Sequence, residues 1–215
     1  MNAGFSNLDT LKKHLLAGST AKSDTRFDTA IAAIGLGAAS QSENFCNRKF
    51  GRVEDDTYIS SADRAEFSLP RYPIESLSLV ELKTTEQDGW ATLDQSPWDT
   101  LQSIENSAGL VRFPSDSDVG PYYAQVRFTY TGGYWWETAE PDDANYPSDQ
   151  PAGSTALPDD LKLAWLLQCE TVWAARDKLG MSLVDKPEMQ SSIGKLDISP
   201  IVKQMLGQYI RYQLT

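Results

Sequence analysis

Paired carboxylates are the most frequent reactive groupings in this sequence: Asp55-Asp56, Asp142-Asp143, Asp159-Asp160 and Asp116-Ser117-Asp118. Two carboxyl groups held close together can divide acid and base roles in glycoside hydrolysis, or hold a divalent cation. The chain has 30 acids, however, and at that density such pairs arise by chance. Each pair also sits where solvent or a helix start accounts for it. The one histidine, His14, lies beside the Leu11–Leu15 stripe of a helical segment. No Gly-x-Ser-x-Gly elbow accompanies it, so a surface or structural role is expected rather than a place in a triad. Thr131-Gly132-Gly133-Tyr134 follows an alternating strand, but it lacks Lys-Ser/Thr and opens no helix, so it is not a phosphate cradle. Cys46 and Cys169 are too few for a disulfide framework and lack metal-ligand spacing; buried free thiols are expected. These residues together predict a protein that is not an enzyme and has no metal or cofactor.

The aromatic run Tyr130, Tyr134, Trp135 and Trp136 has two chemical uses. Exposed rings at a strand end can stack on sugars, which would make a carbohydrate- or surface-binding module of Tyr134, Trp135 and Trp136. The same rings supply contact energy at protein interfaces. The neighbouring stretch 137–160 has seven acids and no base and is rich in proline. Such a segment packs little of itself and is expected to be solvated or ordered by a partner, which favours the interface.

The elements that hold these residues fall into blocks. Ser6-Asn7-Leu8-Asp9 is a helix start, and Leu8, Leu11 and Leu15 recur at helical spacing until Ala17-Gly18. A second start at Ser23-Asp24 leads into Phe27, Ala30, Ile31, Ile34, Ala38, Gln41 and Phe45, and predicts one helix to about Asn47 that runs through Gly35 and Gly37. From Phe50 to Tyr134 the pattern turns to strands. Ile74–Leu82, Leu110–Phe113 and Gln125–Tyr130 are the clearest, with Val126, Phe128 and Tyr130 on one face. Leu157-Pro158-Asp159-Asp160 opens the strongest helix. Leu161, Ala164, Trp165, Gln168, Val172 and Leu179 form one stripe; Leu163, Leu166, Leu167 and Trp173 form a second. So wide an apolar surface predicts burial on more than one side. Ser199-Pro200 opens a last helix, with Ile201, Met205, Tyr209 and Tyr212 on one face.

The fold expected is α+β: a bundle of about four helices with an inserted small antiparallel β subdomain. The parts are 1–49 and 157–215 for the helical core, 50–136 for the β-rich insertion and 137–156 for the acidic loop. A net charge of −11, from 30 acids against 19 Lys and Arg, argues against gripping nucleic acid through its phosphates. No stretch approaches the ~20 apolar residues that cross a bilayer. The N-terminus lacks the charged-then-apolar pattern of a signal peptide, so a cytoplasm-like compartment is expected until assembly.

The order of these parts resembles the head–tail connector (adaptor, or head-completion) family of tailed bacteriophages, in a longer form with a β-rich insertion. Phe45-Cys46-Asn47-Arg48-Lys49-Phe50 is similar to the family's aromatic-x-x-Arg-x-Phe helix ending. Leu69-Pro70-Arg71-Tyr72-Pro73-Ile74-Glu75-Ser76 looks like its Leu-Pro-x-x-Pro-Ile/Val-x-Ser strand start. Val126–Tyr134 resembles its strand ending in Tyr-x-Gly-Tyr, and Leu157–Ala164 its Leu-Pro-x-x-Leu-x-x-Ala helix start. The resemblance implies a ring, usually of twelve subunits, beneath the portal protein. Such a ring extends the DNA channel and is the platform for a neck or tail-completion protein. It further implies Ile201, Met205, Tyr209, Ile210 and Tyr212 as portal-facing candidates. Leu163, Leu167 and Trp173, with Trp135 and Trp136, are the candidate subunit contacts. Duplex DNA would pass the lumen without specific binding. The place implied is the head–tail junction of the virion, after assembly in the host cytoplasm.

Overall fold

Four α-helices and nine strands form among the described residues, and the main sheet is antiparallel, so the chain is α+β as its patterns predict. A computed structural model describes residues 6–16, 25–85, 87–93, 103–113, 123–137, 144, 150–179 and 197–211. The chain divides into two units. Ala3–Cys46 combines with Leu157–Ile210 in a helical unit, and Asn47–Ala156 combines with Arg211–Thr215 in a β unit.

In the helical unit, Asn7 caps α1 (Leu8–Leu15), its side chain accepting the Thr10 N–H at 2.8 Å. The sequence pattern sets this start one residue earlier, at Ser6; an asparagine oxygen serves an orphan helix N–H as well as a serine does. α2 (Asp28–Cys46) runs unbroken through Gly35 and Gly37. Ser23-Asp24 lies outside the described residues, but Thr25, Arg26 and Phe27 are not helical, so the helix starts later than the sequence pattern sets it. Ile31 and Ala38 are buried as the stripe predicts. Phe27 and Ala30 are exposed, and Gly35, Ala39, Ser42 and Cys46 are buried instead. Gly35 explains the rotation. A Cβ there would lie 2.6 Å from Leu11 Cδ1 and 3.4 Å from Trp165 Cζ2. Without one, both side chains close on the α2 backbone, and Trp165 Nε1 donates to Gly35 O at 3.0 Å. The closest approach, not the largest side chain, decides which face turns inward.

In α3 (Asp159–Leu179), Leu161, Ala164, Trp165 and Gln168 of the first stripe are buried, with Cys169 beside them. The second stripe departs from expectation: Leu163 is 47% exposed, and Leu166, Leu167 and Trp173 are half-buried. Among the described residues, the side of α3 that carries Leu163 is the least covered. Ser199 caps α4 (Pro200–Leu206), accepting the Val202 N–H at 3.4 Å. The inward face of α4 is Val202 and Leu206, offset from the predicted stripe; Ile201 of that stripe is 59% exposed. The helix tightens to a 3-10 turn at Gly207–Tyr209 and stops before Arg211. Tyr212 lies outside the described residues. Gln168, fully buried, ties three helical segments: its Nε2 donates to Gln41 Oε1 at 3.1 Å and to Asp197 O at 3.5 Å, and its Oε1 accepts the Ser199 N–H at 3.1 Å.

The β unit has strands β1 (Val53–Ser61), β2 (Glu66–Ser68), β3 (Ile74–Lys83), β4 (Ala91–Thr92), β5 (Ser103–Glu105), β6 (Leu110–Arg112), β7 (Gln125–Gly132), β8 (Tyr134–Trp135) and β9 (Thr155–Ala156). One antiparallel sheet has the order β1-β7-β3-β4 and a second β2-β6-β5; β8 and β9 form a short parallel pair. Val126, Phe128 and Tyr130 of β7 turn inward on alternate positions, as the sequence predicts, and meet Leu77, Val80 and Leu82 of β3 in one core. The small sheet adds Phe67, Val111 and Phe113. Phe67 stands edge-on to Phe113 at 5.7 Å and tilted to Phe128 at 5.1 Å, arrangements that suit the ring quadrupoles.

Candidate assembly surfaces

Three of the motifs that carry the resemblance meet at one junction of the β unit. Lys49 N–H donates to Pro70 O at 2.7 Å, Tyr134 N–H to Phe50 O at 2.7 Å, and Gly133 N–H to Pro73 O at 2.8 Å. The Arg48 guanidinium lies 3.4 Å from the Tyr72 ring centroid, with the rings of Phe50 at 4.9 Å and Tyr134 at 5.4 Å, and donates to Tyr72 O. A guanidinium keeps its charge when buried and stacks well on aromatic faces, which is why this position suits arginine. Arg71 pairs with Asp56 at 2.7 Å, and its N–H donates to Tyr130 Oη at 3.2 Å. Burial, and then the Asp56 charge, push the Tyr130 phenol above its ordinary range. The glycines of Tyr130-Thr131-Gly132-Gly133-Tyr134 are required by this crowding. A Cβ on Gly132 would lie 2.9 Å from Pro73 O; one on Gly133, which adopts φ +96°, would lie 2.5 Å from Gly51 O. The junction binds segments to one another.

Trp135 and Trp136 are half-buried at the end of this junction. The backbone of Tyr134 and Trp135 is engaged, through β8, with Thr155 and Ala156 of β9. The end of the acidic stretch therefore lies along the aromatic run; residues 138–143 and 145–149 are outside the described residues.

The other candidate contacts belong to the helical unit. Leu163 and Leu167 lie one turn apart on the outward side of α3, and Trp173 meets Phe27, in the turn before α2, edge-on at 5.8 Å. Ile201 and Met205 lie one turn apart on α4, the first exposed and the second half-buried. Tyr209 is half-buried, and its hydroxyl donates to Asp160 Oδ1 at 2.6 Å, so one of the portal-facing candidates also fastens the end of α4 to the start of α3. Ile210 is half-buried. Phe27, which the sequence pattern sets on the inward stripe, is 41% exposed, and Leu36, which the pattern does not single out, is 45% exposed. Leu36 lies off the line of that stripe.

The groups that first suggested catalysis have structural partners. Asp56 is held by Arg71, and Asp55 accepts from Ser78 Oγ at 3.1 Å. Asp160 accepts the Leu161 N–H at 2.9 Å as well as the Tyr209 hydroxyl. Asp142, Asp143, Asp116 and Asp118 lie outside the described residues. His14 is on the surface, 3.6 Å from Glu170. Cys46 and Cys169 are free and buried, as expected, and burial pushes the Cys169 thiol up to about 12. Among the described residues, no group of three or more His, Cys, Asp or Glu is placed to hold a metal ion, and no helix is long and apolar enough to cross a membrane.

No protein-family model matches this sequence, and no curated protein matches it. Its fold is similar to that of a chain in a solved structure described as the virion of a native gene transfer agent particle. The two are 12% identical, the match covers 100% of this chain and 94% of that one, and the TM-score is 0.58. At that identity the likeness is one of fold.

Proposed function

We propose that this chain is a structural virion protein: a head–tail connector subunit that forms a ring, of twelve copies, beneath the portal of a phage-like particle. The ring extends the DNA channel and is the platform for the neck or tail-completion protein, in a virion assembled in the host cytoplasm. The observation that carries this reading is the whole-length likeness in fold to a chain of a virion particle. The meeting of three resemblance motifs in one backbone junction supports it, because the features shared with connectors are those that hold the β unit together. Outward apolar residues on α2, α3 and α4 support it as well, since a ring subunit needs surfaces that neighbours complete. In this reading Leu163, Leu167 and Trp173, with Trp135 and Trp136, face neighbouring subunits, and the end of the chain from Ile201 through Met205, Tyr209 and Ile210 to Tyr212 faces the portal. The net charge of −11 suits a channel through which duplex DNA slides without being held.

Negative-stain electron microscopy of the purified chain at high concentration, with mass photometry beside it, tests the reading. Closed rings with a hole wide enough for duplex DNA are expected. A chain that stays monomeric and also fails to bind a ring of portal protein would overturn it.

A further inference from the structure

We propose that the outward face of α2, carried by Ala30, Ala33, Leu36, Gly37 and Ser40, receives the Leu163–Leu167 ridge of α3 from a second copy of this chain. The proposal rests on the ring reading above and names the contact that would build the ring. Three observations converge on it.

The first is charge. Residues 29–42 of α2 contain no charged side chain, although 23% of the chain is charged and each copy carries −11. Copies with that net charge repel wherever their acidic surfaces approach, and a neutral helix face is where two can meet.

The second is the contrast between two glycines one half-turn apart. Gly35 is explained within its own chain, because Leu11 and Trp165 occupy the place of its side chain. A Cβ on Gly37 would meet nothing within 4 Å. A glycine in mid-helix weakens the helix. At an exposed position with open space, an isolated subunit gains nothing in exchange. A neighbour's helix that must approach closely would give this glycine the use that Trp165 gives Gly35.

The third is complementary shape. The α2 face is made of small residues around Leu36; the α3 face presents Leu163, Leu166 and Leu167 at spacings of three and four, a ridge of the kind that enters a groove between small residues. Both faces stand opposite the buried ones. At 100° per residue, Ala30, Ala33, Gly37 and Ser40 are turned away from Ile31, Gly35, Ala38 and Ser42. Leu163 is likewise turned away from Leu161, Trp165 and Gln168, and half-buried Leu167 lies at the edge of that outward face. Since the buried faces of α2 and α3 pack on each other through Gly35 and Trp165, the two outward faces point in opposite directions. Such a pair joins copies head to tail, which is the contact a closed ring uses.

Gly37→Leu separates this role from a merely structural one. In the single subunit a Cβ at this position meets nothing within 4 Å and the substitution favours the helix, so the thermal midpoint should rise by about 2–4 °C. In assembly, the fraction of rings at a fixed concentration should fall at least tenfold. Rings that form as in the wild type would overturn the proposal. A second measurement uses the double variant Gly37→Cys with Leu163→Cys and a short bismaleimide; Cys46 and Cys169 are buried and do not compete. A ladder of cross-linked oligomers from the double variant, and none from either single variant, is expected. Dimers from Gly37→Cys alone would mean that α2 meets α2, and would overturn the assignment of α3. Wild-type rings without a ladder would overturn this contact and leave the ring standing; a wild-type monomer without a ladder would overturn both.

Discussion

In the β unit, arginines and carboxylates find each other within the chain: Arg71 with Asp56 at 2.7 Å, Arg52 with Glu75 at 2.7 Å, Arg112 with Glu66 at 2.5 Å and Arg127 with Glu81 at 2.5 Å. Its aromatic rings meet in one core, and Ile59 is its one exposed large apolar residue among those described. In the helical unit the balance is different. Phe27, Leu36, Leu163 and Ile201 are all more than 40% exposed, while buried Gln168 and buried Lys12, which pairs with Asp28 at 2.7 Å, organise the polar interior. The β unit completes its chemistry internally; the helical unit keeps apolar surface on the side that its own helices do not cover. Exposed apolar residues are common singly, but a face of them on consecutive helical turns is a surface awaiting a partner.

The comparison breaks most sharply at Gly133. A valine there would combine a positive φ with backbone atoms 2.5 and 2.7 Å from its Cβ. Gly133→Val should cost about 4 kcal/mol or more, measured by urea unfolding. A variant that unfolds like the wild type would show that the junction of motifs does not close the β unit. Next in size is Gln168→Leu in the helical unit. It leaves the half-buried Ser199 N–H without its side-chain acceptor, and should cost about 1–2 kcal/mol in the same measurement. A neutral or stabilising outcome would mean that apolar packing alone seats α4, and that the helical interior needs no polar organiser.

Much of this contrast was readable from the sequence, and the parts that were not have identifiable causes. β7 and β3 were legible because both are central strands whose inward positions must be apolar, so alternation survives in Val126, Phe128 and Tyr130. β1 was not. It is an edge strand paired on one side with β7, and its Val53-Glu54-Asp55-Asp56 start carries acids that edge strands tolerate and central ones do not. Asp55 adopts φ 50° at a register shift, which no alternation rule anticipates. On α2 the existence of the helix was plain, but its inward face was misjudged, because Gly35 carries no hydrophobic signal and yet admits Trp165. The candidate contacts Leu163 and Ile201 were legible as apolar positions only. Whether an apolar helical residue faces inward or outward depends on which neighbour wins the close approach, and single-helix periodicity does not hold that information.

Alkaline titration adds a smaller effect that sharpens the same contrast. Burial raises the Cys169 thiol to about 12 from an ordinary value near 9. The folded state therefore keeps a proton that the unfolded state releases. Stability from this group is intact below about pH 9 and declines as the pH climbs toward 12, by at most about 1.4 kcal/mol per pH unit. Cys169→Ala should flatten that decline for the helical unit. Tyr130, raised for the same reason of burial, makes a separate alkaline contribution in the β unit, which Cys169→Ala should leave in place. An unchanged slope in the variant would mean that water reaches the thiol.

The smallest expected effect is at Ile201, and its smallness is informative. Val202, the next residue, is fully buried, and Val202→Ala should be felt at about 2 kcal/mol. Ile201 is 59% exposed, so Ile201→Ser should change the unfolding free energy of the isolated chain by no more than about 0.5 kcal/mol. If the outward face of α4 is held for a partner, that near-silent substitution should still weaken binding to a portal ring, measured by co-sedimentation, while Val202→Ala should act through folding. If Ile201→Ser destabilises the isolated chain as much as Val202→Ala does, the outward face is part of the subunit's own packing, and the difference between a finished β unit and an unfinished helical one fails at α4.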